Sequence, residues 1–162
     1  MEDNNKTLTI RKLHVPGRQF HVVDESGTVL YYVKQKKFSY GRTLVVLDHE
    51  GTELGIIKQC FALILPKYRI QIGRDESYVI KRKFSLVAKY TISDLPWVFF
   101  CQDFTGMFVG VSDTEDHKLF TVCKISKSWT DKYNISLYDT KYTLHSVLVA
   151  FALDSMAHDI KH

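Results

Sequence analysis

Lysine and arginine side chains gather in three short stretches of the sequence, VKQKKF, IKRKF and CKISKSW. The basic residues in these stretches are Lys34, Lys36, Lys37, Lys81, Arg82, Lys83, Lys124 and Lys127. Such side chains bind phosphate oxygens through charge-assisted hydrogen bonds, and a lipid headgroup needs several of them on one concave surface. Lysines on strands also protect sheet edges from aggregation, so the clusters are compatible with either role.

Aromatic side chains flank the first basic stretch, which is the combination that single-stranded nucleic acids require. These aromatic residues are Tyr31, Tyr32, Phe38 and Tyr40. The net charge of +4 is modest for a nucleic-acid-binding protein, and no recognition motif is present, so nucleic acid is an unfavoured partner. Trp129, in KSWTDKY, is a further candidate for an exposed binding residue, although we expect it to pack on the wall of the protein.

Catalytic and metal-binding chemistry have little support in the sequence. The histidines are His14, His21, His49, His117, His145, His158 and His162. Only the last two have a helical i, i+4 spacing, so we predict no metal site and no cofactor. The sequence contains no G-x-S-x-G, H-E-x-x-H or P-loop motif, and we therefore predict that the protein is not an enzyme.

The three cysteines, Cys60, Cys101 and Cys123, lie far apart without a C-x-x-C spacing. We predict neither a disulfide nor a zinc site, and we expect each thiol to be buried, because each lies in an apolar run. The polar N-terminal residues MEDNNKTLTIRK do not resemble a signal peptide. These features favour the reducing cytoplasm as the location of the protein, with peripheral association at a membrane as an option.

Short apolar or alternating runs, each ended by a turn signal, recur along most of the chain and are typical of β-strands. Asp-x-x-Gly turns occur at 24–27, 48–51 and 103–106, and GRDES is a further hairpin turn. LFTVCKISKSW and KYNISLYD follow as another pair of strands. About ten to twelve strands at this spacing predict an antiparallel sandwich or a closed barrel.

The second basic stretch raises a geometric conflict. In a strand, Lys81 and Lys83 share one face, whereas Arg82 shares the other face with Ile80 and Phe84. A guanidinium group does not belong beside apolar side chains that face a core. We therefore expect a bulge or a strand end at this point.

The segment from Leu144 to Ala157 is apolar on every face of a helical wheel. It is shorter than the ~20 residues of a membrane span, and Asp154 lies within it, so we predict a buried helix over about residues 143–158, with Thr143 as its N-cap. The residues predicted to form its core contacts are Leu144, Val147, Leu148, Phe151, Leu153 and Met156. Threading the helix through a barrel would bury all of its faces.

The order of these features resembles that of the LURP-one-related proteins, which include the bacterial YxjI-like group. The motifs that carry the resemblance are YYVKQKKFS, LVVLDHEGTELGIIKQ, PKYRI, KISKSWTDKYNI, SLYD and VLVAFALDSMAHD. The resemblance runs from about Phe20 to Asp159. The family is a branch of the tubby C-terminal-like and phospholipid-scramblase-like superfamily. The resemblance implies a twelve-stranded barrel around a central helix, and tubby-like relatives bind phosphoinositide headgroups through surface Lys and Arg.

Together, the sequence and the resemblance predict a single domain over residues 1–162, with residues 1–6 disordered. The expected fold is mainly β: a closed antiparallel β-barrel of about twelve strands around a central hydrophobic C-terminal α-helix. The expected function is that of a non-enzymatic binding or regulatory domain, with anionic phospholipid or phosphoinositide headgroups as the candidate ligand and no transmembrane segment. The alternatives are a nucleic-acid-binding barrel and a soluble protein-interaction scaffold. A carrier of hydrophobic ligands is disfavoured, because the helix would fill the lumen.

Overall fold

Twelve strands and one long helix make up the fold in the computed structural model, which describes residues 5–16, 18–37, 39–101, 108–125 and 128–160. The strands are β1 (Lys6–Val15), β2 (Arg18–Val23), β3 (Val29–Gln35), β4 (Thr43–Leu47), β5 (Glu53–Gln59), β6 (Lys67–Ile72), β7 (Glu76–Lys83), β8 (Lys89–Ile92), β9 (Trp97–Cys101), β10 (Phe108–Asp113), β11 (Lys118–Lys124) and β12 (Asp131–Leu137). A single 3-10 turn (Thr140–Tyr142) leads into helix α1 (Thr143–Ile160). Residues 1–4 of the predicted disordered segment lie outside the described residues, and β1 already begins at Lys6.

All strand pairs in the sheet are antiparallel, and the order of the strands is β8-β7-β6-β5-β4-β3-β2-β1-β12-β11-β10-β9. The pairing of β1 with β12, for example Leu8 opposite Ile135, joins the two halves of the chain. β8 and β9 are the two ends of this ladder, and they meet through the rings of Tyr90 and Phe99, whose centroids are 6.2 Å apart. The sheet is therefore a nearly closed barrel, which confirms the predicted fold class.

Hairpin turns of the Asp-x-x-Gly type connect β2 to β3 and β4 to β5, as the sequence predicts. The Asp24 carboxylate accepts hydrogen bonds from the backbone amides of Ser26 (3.0 Å) and Thr28 (2.9 Å), and Asp48 binds the equivalent amides in its own turn. Gly27 and Gly51 have φ angles of 83° and 85°, a left-handed conformation that glycine adopts without strain. The aspartate and the glycine together fix the register of each hairpin.

Two other predicted turns have different outcomes. The GRDES turn joins β6 to β7, as predicted, whereas the Asp-x-x-Gly sequence at 103–106 lies outside the described residues. A further turn of the same design connects β10 to β11, where the Asp113 carboxylate accepts the amides of Glu115 and His117. The sequence pattern does not indicate this turn, because Asp116 replaces glycine at the left-handed position, with a φ of 62°.

Helix α1 fills the lumen of the barrel. Its residues from Ser146 to Leu153, together with Ser155 and Met156, are buried, and Leu144 is half-buried against the same core. This confirms the predicted helix inside the barrel. Thr143, however, is not an N-cap, because it has helical dihedral angles; Asp139 caps the preceding 3-10 turn by accepting a hydrogen bond from the Lys141 amide (3.1 Å).

The cysteine thiols are less buried than we expect from the apolar runs in which they lie. Cys60 and Cys101 are half-buried, and Cys123 is exposed, so the prediction of buried thiols is wrong. Cys123 follows the inward-facing Val122 in β11, and alternation along the strand directs its side chain outward. An apolar run on a barrel strand therefore does not place all of its members in the core.

Candidate functional site

The two ends of the barrel differ in construction. Because consecutive strands alternate in direction, every connection that follows an odd-numbered strand lies at one end, which we call the long-loop rim. It carries the connections 36–42, 60–66, 84–88 and 125–130 and the adjacent strand ends. The other end, the turn rim, carries the tight Asp turns and the start of α1. Long loops on a rigid scaffold are common locations of binding sites.

Charge is segregated between the two rims. The basic residues near the long-loop rim are Arg11, Lys12, Lys34, Lys36, Lys37, Arg42, Lys58, Lys67, Arg69, Lys81, Arg82, Lys83, Lys89, Lys124 and Lys132. The acidic residues at the turn rim are Asp24, Glu25, Asp48, Glu50, Glu53, Asp75, Glu76, Asp94, Asp113, Glu115, Asp116 and Asp139. The basic residues that the structure describes at the turn rim are Lys6, Arg74, Lys118 and Lys141. The modest net charge of +4 therefore conceals a strongly polarised barrel.

The carboxylates near the long-loop rim do not neutralise its lysines. Among the described residues these carboxylates are Asp131, Asp154 and Asp159, and each already accepts a short hydrogen bond. Arg11 Nε donates to Asp131 (2.8 Å), the Tyr133 hydroxyl to Asp154 (2.6 Å), and the Tyr68 hydroxyl to Asp159 (2.7 Å).

Basic side chains lie directly opposite one another on adjacent strands of this rim. The antiparallel register pairs Lys58 with Arg69, Lys67 with Lys81, and Lys83 with Lys89, across β5 to β8. We call these paired residues the basic strip. Like charges in direct cross-strand contact destabilise a sheet, and in the described part of the chain no carboxylate forms an ion pair with any of them. An anionic ligand would remove this repulsion.

Arg82 lies on the opposite face of β7 from the basic strip, and the strand end accommodates it. It is half-buried one residue before β7 ends, opposite the inward-facing Tyr90. Burial raises the pKa of the Tyr90 hydroxyl. Ile80, earlier on the same face, is fully buried, whereas Phe84, beyond the strand end, is exposed. The conflict posed by the sequence is therefore resolved by the end of the strand.

The three predicted clusters share the long-loop rim but do not form one site. They lie on β3, β7 and β11, which are four strands apart around the ring. Lys34 is half-buried, Lys36, Lys37 and Lys124 are exposed, and Lys127 lies outside the described residues. The second cluster lies opposite further basic residues on the adjacent strands β6 and β8. The clusters predicted from the sequence do not include the additional residues of the basic strip, Lys58, Lys67, Arg69 and Lys89, although the register fixed by the GRDES turn indicates the Lys67–Lys81 pair.

Large apolar side chains project from the same long loops. Those at least 84% exposed are Tyr40, Phe61, Leu63, Ile64, Phe84, Leu86 and Trp129. Trp129 is 95% exposed, so the expectation that it packs on the barrel wall is wrong. It lies in the connection between β11 and β12, outside the strands that form the barrel wall. We call these residues the apolar tips.

The connection between β5 and β6 borders two clefts on the rim. One, of about 350 Å³, is lined by Tyr40, Gly41, Gln59, Cys60, Phe61 and Ala62. The other, of about 360 Å³, is lined by Gln59, Cys60, Ala62, Ile64, Leu65, Pro66, Lys67 and Asp159. The end of α1 forms the floor of the second cleft, where Gln59 Nε2 donates to Asp159 at 3.2 Å. These clefts are large enough for a small polar group.

In the described part of the chain, no cluster of three or more His, Cys, Asp or Glu side chains has the arrangement of a metal site. No helix in the described residues has both the length and the apolar character needed to cross a bilayer.

The architecture defines the protein as an antiparallel β-barrel filled by its own C-terminal helix. The family model described as LURP-one-related matches residues 6–154, and the chain belongs to this family. It is 27% identical over 141 residues to the uncharacterized protein YxjI of Bacillus subtilis, with 86% of each chain covered. A crystal structure of an Arabidopsis thaliana protein has the same fold, with a TM-score of 0.62 and 15% identity over 94% of this chain and 93% of that one.

Proposed function

We propose that this protein is a non-enzymatic binding module that attaches to anionic phospholipid surfaces through its long-loop rim. The observation that carries the proposal is the basic strip, in which three cross-strand pairs of like charge lie on one surface. Such pairs oppose folding, and phosphate groups bound between them would convert repulsion into attraction. The acidic turn rim supports a single orientation, with the long-loop rim toward an anionic surface.

The neighbours of the basic residues favour a membrane over a nucleic acid as the partner. Nucleic-acid bases stack on aromatic rings, and aliphatic side chains offer no comparable stacking surface. The long-loop rim presents Leu63, Ile64 and Leu86 beside its aromatic residues, and these aliphatic side chains suit a lipid surface.

Vesicle co-sedimentation tests the proposal, at about 0.15 M salt, where the Debye length is about 8 Å. Phosphatidylcholine vesicles would be compared with vesicles that contain phosphatidylglycerol or a phosphoinositide. We expect binding to the anionic vesicles only. Each lysine or arginine near such a surface contributes about 1 kcal/mol, so the loss of three would weaken binding roughly a hundredfold.

The variant that removes this binding can be chosen so that it does not weaken the fold. Arg69→Glu, Lys81→Glu and Lys89→Glu change one member of each like-charged pair and create opposite-charge pairs. We expect the triple variant to melt at a higher temperature than the wild type and to lose vesicle binding. The matched control, Arg74→Glu, Lys118→Glu and Lys141→Glu, makes the same change in net charge at the turn rim and should still bind.

Two results would overturn the proposal. The first is equal loss of binding in the turn-rim control, which would reduce the effect to net charge. The second is the absence of vesicle binding by the wild type. If the wild type then binds a single-stranded oligonucleotide at the same salt concentration, the rim is a nucleic-acid surface.

A further inference from the structure

We propose that the apolar tips enter the boundary between headgroups and acyl chains, so that the barrel stands end-on with its long-loop rim in the bilayer surface. This inference rests on the proposed function, and it adds a second component of binding that does not depend on charge. Its starting observation is that the apolar tips lie on separate connections: β3 to β4, β5 to β6, β7 to β8 and β11 to β12. They therefore surround the end of the barrel.

The exposure of the apolar tips has no explanation within the fold. Phe61, Leu63 and Ile64 are 86%, 89% and 84% exposed within one short connection, and Leu86 is 93% exposed on the next. By comparison, Val98 and Phe100, the exposed apolar residues of the β9 wall, reach 55% and 60%. Apolar surface of this extent in water is unfavourable, and contiguous exposed patches mark interaction surfaces.

Charge complementarity identifies an anionic bilayer as the occupant. Lysines and arginines of the strand ends lie on the same rim as the apolar tips, so a surface that receives the tips must also accept the positive charge of the basic strip. An anionic bilayer supplies apolar acyl chains below a layer of phosphates, and lysine stems reach from one to the other. Aromatic rings such as those of Tyr40 and Trp129 favour the headgroup level of such an interface. The acidic turn rim then points away from the membrane.

Trp129 is a native reporter for this mode of binding. The chain has two tryptophans: Trp129 is 95% exposed at the rim, and Trp97 is 9% exposed inside the barrel. We would record tryptophan emission with vesicles of phosphatidylglycerol and phosphatidylcholine in which part of the phosphatidylcholine carries a nitroxide on its acyl chain. We expect a shift to shorter wavelength and quenching in the wild type, and loss of both responses in Trp129→Phe, which still contains Trp97.

A pair of variants separates insertion from attraction between charges. Leu63→Ser with Leu86→Ser removes apolar side chains from two loops, and we expect roughly ten- to hundredfold weaker binding to the same vesicles. The matched control, Val98→Ser with Phe100→Ser, removes exposed apolar side chains from the barrel wall and should bind like the wild type. Neither variant changes the net charge.

The outcomes distinguish this inference from the proposed function. Salt-sensitive sedimentation with anionic vesicles but no quenching, and equal binding by both serine variants, would overturn insertion and leave headgroup binding intact. Failure of the wild type to sediment with any vesicle would overturn both. Self-association of the wild type without vesicles, abolished by Leu63→Ser with Leu86→Ser, would mean that the apolar tips cover a second copy of the chain and would also overturn insertion.

Discussion

The Tyr133 hydroxyl donates a 2.6 Å hydrogen bond to the carboxylate of Asp154, which joins strand β12 to the mainly apolar helix in the lumen. Burial and the adjacent Asp154 charge raise the pKa of the Tyr133 hydroxyl, so it remains a donor throughout the physiological range. This contact explains how a helix that is buried on nearly every face contains an aspartate. The carboxylate is tolerated because the barrel wall supplies a dedicated partner.

Tyr133→Phe removes that partner without changing the shape of the ring. We expect the free energy of unfolding to fall by about 1–3 kcal/mol, because the Asp154 carboxylate then lacks its hydrogen bond in a partly buried position. Urea denaturation at pH 7 measures the change. Tyr40→Phe is the matched control, because Tyr40 is 97% exposed. We expect this substitution to leave the stability unchanged. Equal stability of Tyr133→Phe and the wild type would show that the hydrogen bond is not needed.

Close contact between the wall and the helix makes Gly55→Ala a destabilising substitution. A Cβ atom at Gly55 would lie 3.0 Å from both Cδ atoms of Leu148 and 3.2 Å from the Gln71 carbonyl oxygen. We expect a loss of about 1–3 kcal/mol, as is typical of an overpacked core. Gly110→Ala is the control, because its Cβ would meet no atom closer than 3.8 Å. Thermal unfolding of both variants tests this, and similar melting temperatures would contradict it.

Removal of the central helix should prevent folding of the barrel. A chain that ends after Thr143 lacks the core side chains of α1, each of which contributes about 1.5–3 kcal/mol when buried. We expect aggregation, or a species that binds a hydrophobic dye and has no cooperative melting transition. A chain that ends after Ile160 retains the whole of α1 and should fold. Cooperative melting of the shorter chain would refute the role of the helix as the core.

His145 gives the stability a predicted dependence on pH. Burial lowers the pKa of its imidazole below 6.5; Lys141 acts in the same direction, and Glu76, 3.4 Å away, acts against it. The neutral ring packs between Trp97 and Tyr142. As the pH falls, the His145 imidazole takes up a proton more readily in the unfolded chain than in the native protein. The contribution of His145 to the free energy of unfolding is therefore complete above about pH 6.5 and declines as the pH falls below that value.

Urea titrations between pH 5 and pH 7.5 measure this decline. We expect His145→Gln to flatten the slope of unfolding free energy against pH. Part of the slope should persist, because burial also lowers the pKa of His21. Parallel curves for His145→Gln and the wild type would contradict the assignment.

Local patterns explain why so much of the fold was predictable. An Asp-x-x-Gly turn such as that at Asp24 contains both of its partners within a few residues, so the sequence alone indicates the hairpin. The helix was predictable for a different reason: among many antiparallel strands, the lumen of a barrel is the simplest place to bury an element that is apolar on every face. The turn at Asp113 was not predictable in this way, because its left-handed residue is Asp116. A glycine at that position would have indicated the turn, whereas an aspartate does not.

The candidate site was less predictable, because it depends on relations between strands. Lys81 was recognised as a basic residue, but its opposition to Lys67 follows from the register of β6 with β7. The exposure of Trp129 depends on where β11 ends, and strand ends are poorly marked in sequence. Proximity around the barrel, rather than along the chain, decides which lysines act together.

The pairing of β1 with β12 has a consequence for how this LURP-one-related domain is made. The first strand pairs at once with β2 on one edge, but the partner of its other edge, β12, is synthesised more than a hundred residues later, and α1 follows β12. A nascent chain therefore holds a row of hairpins that has neither a closing seam nor an interior until almost all of the domain has left the ribosome. Contacts so distant in sequence make folding slow, and they leave the inner faces of the hairpins open to chaperones and to other nascent chains in the meantime.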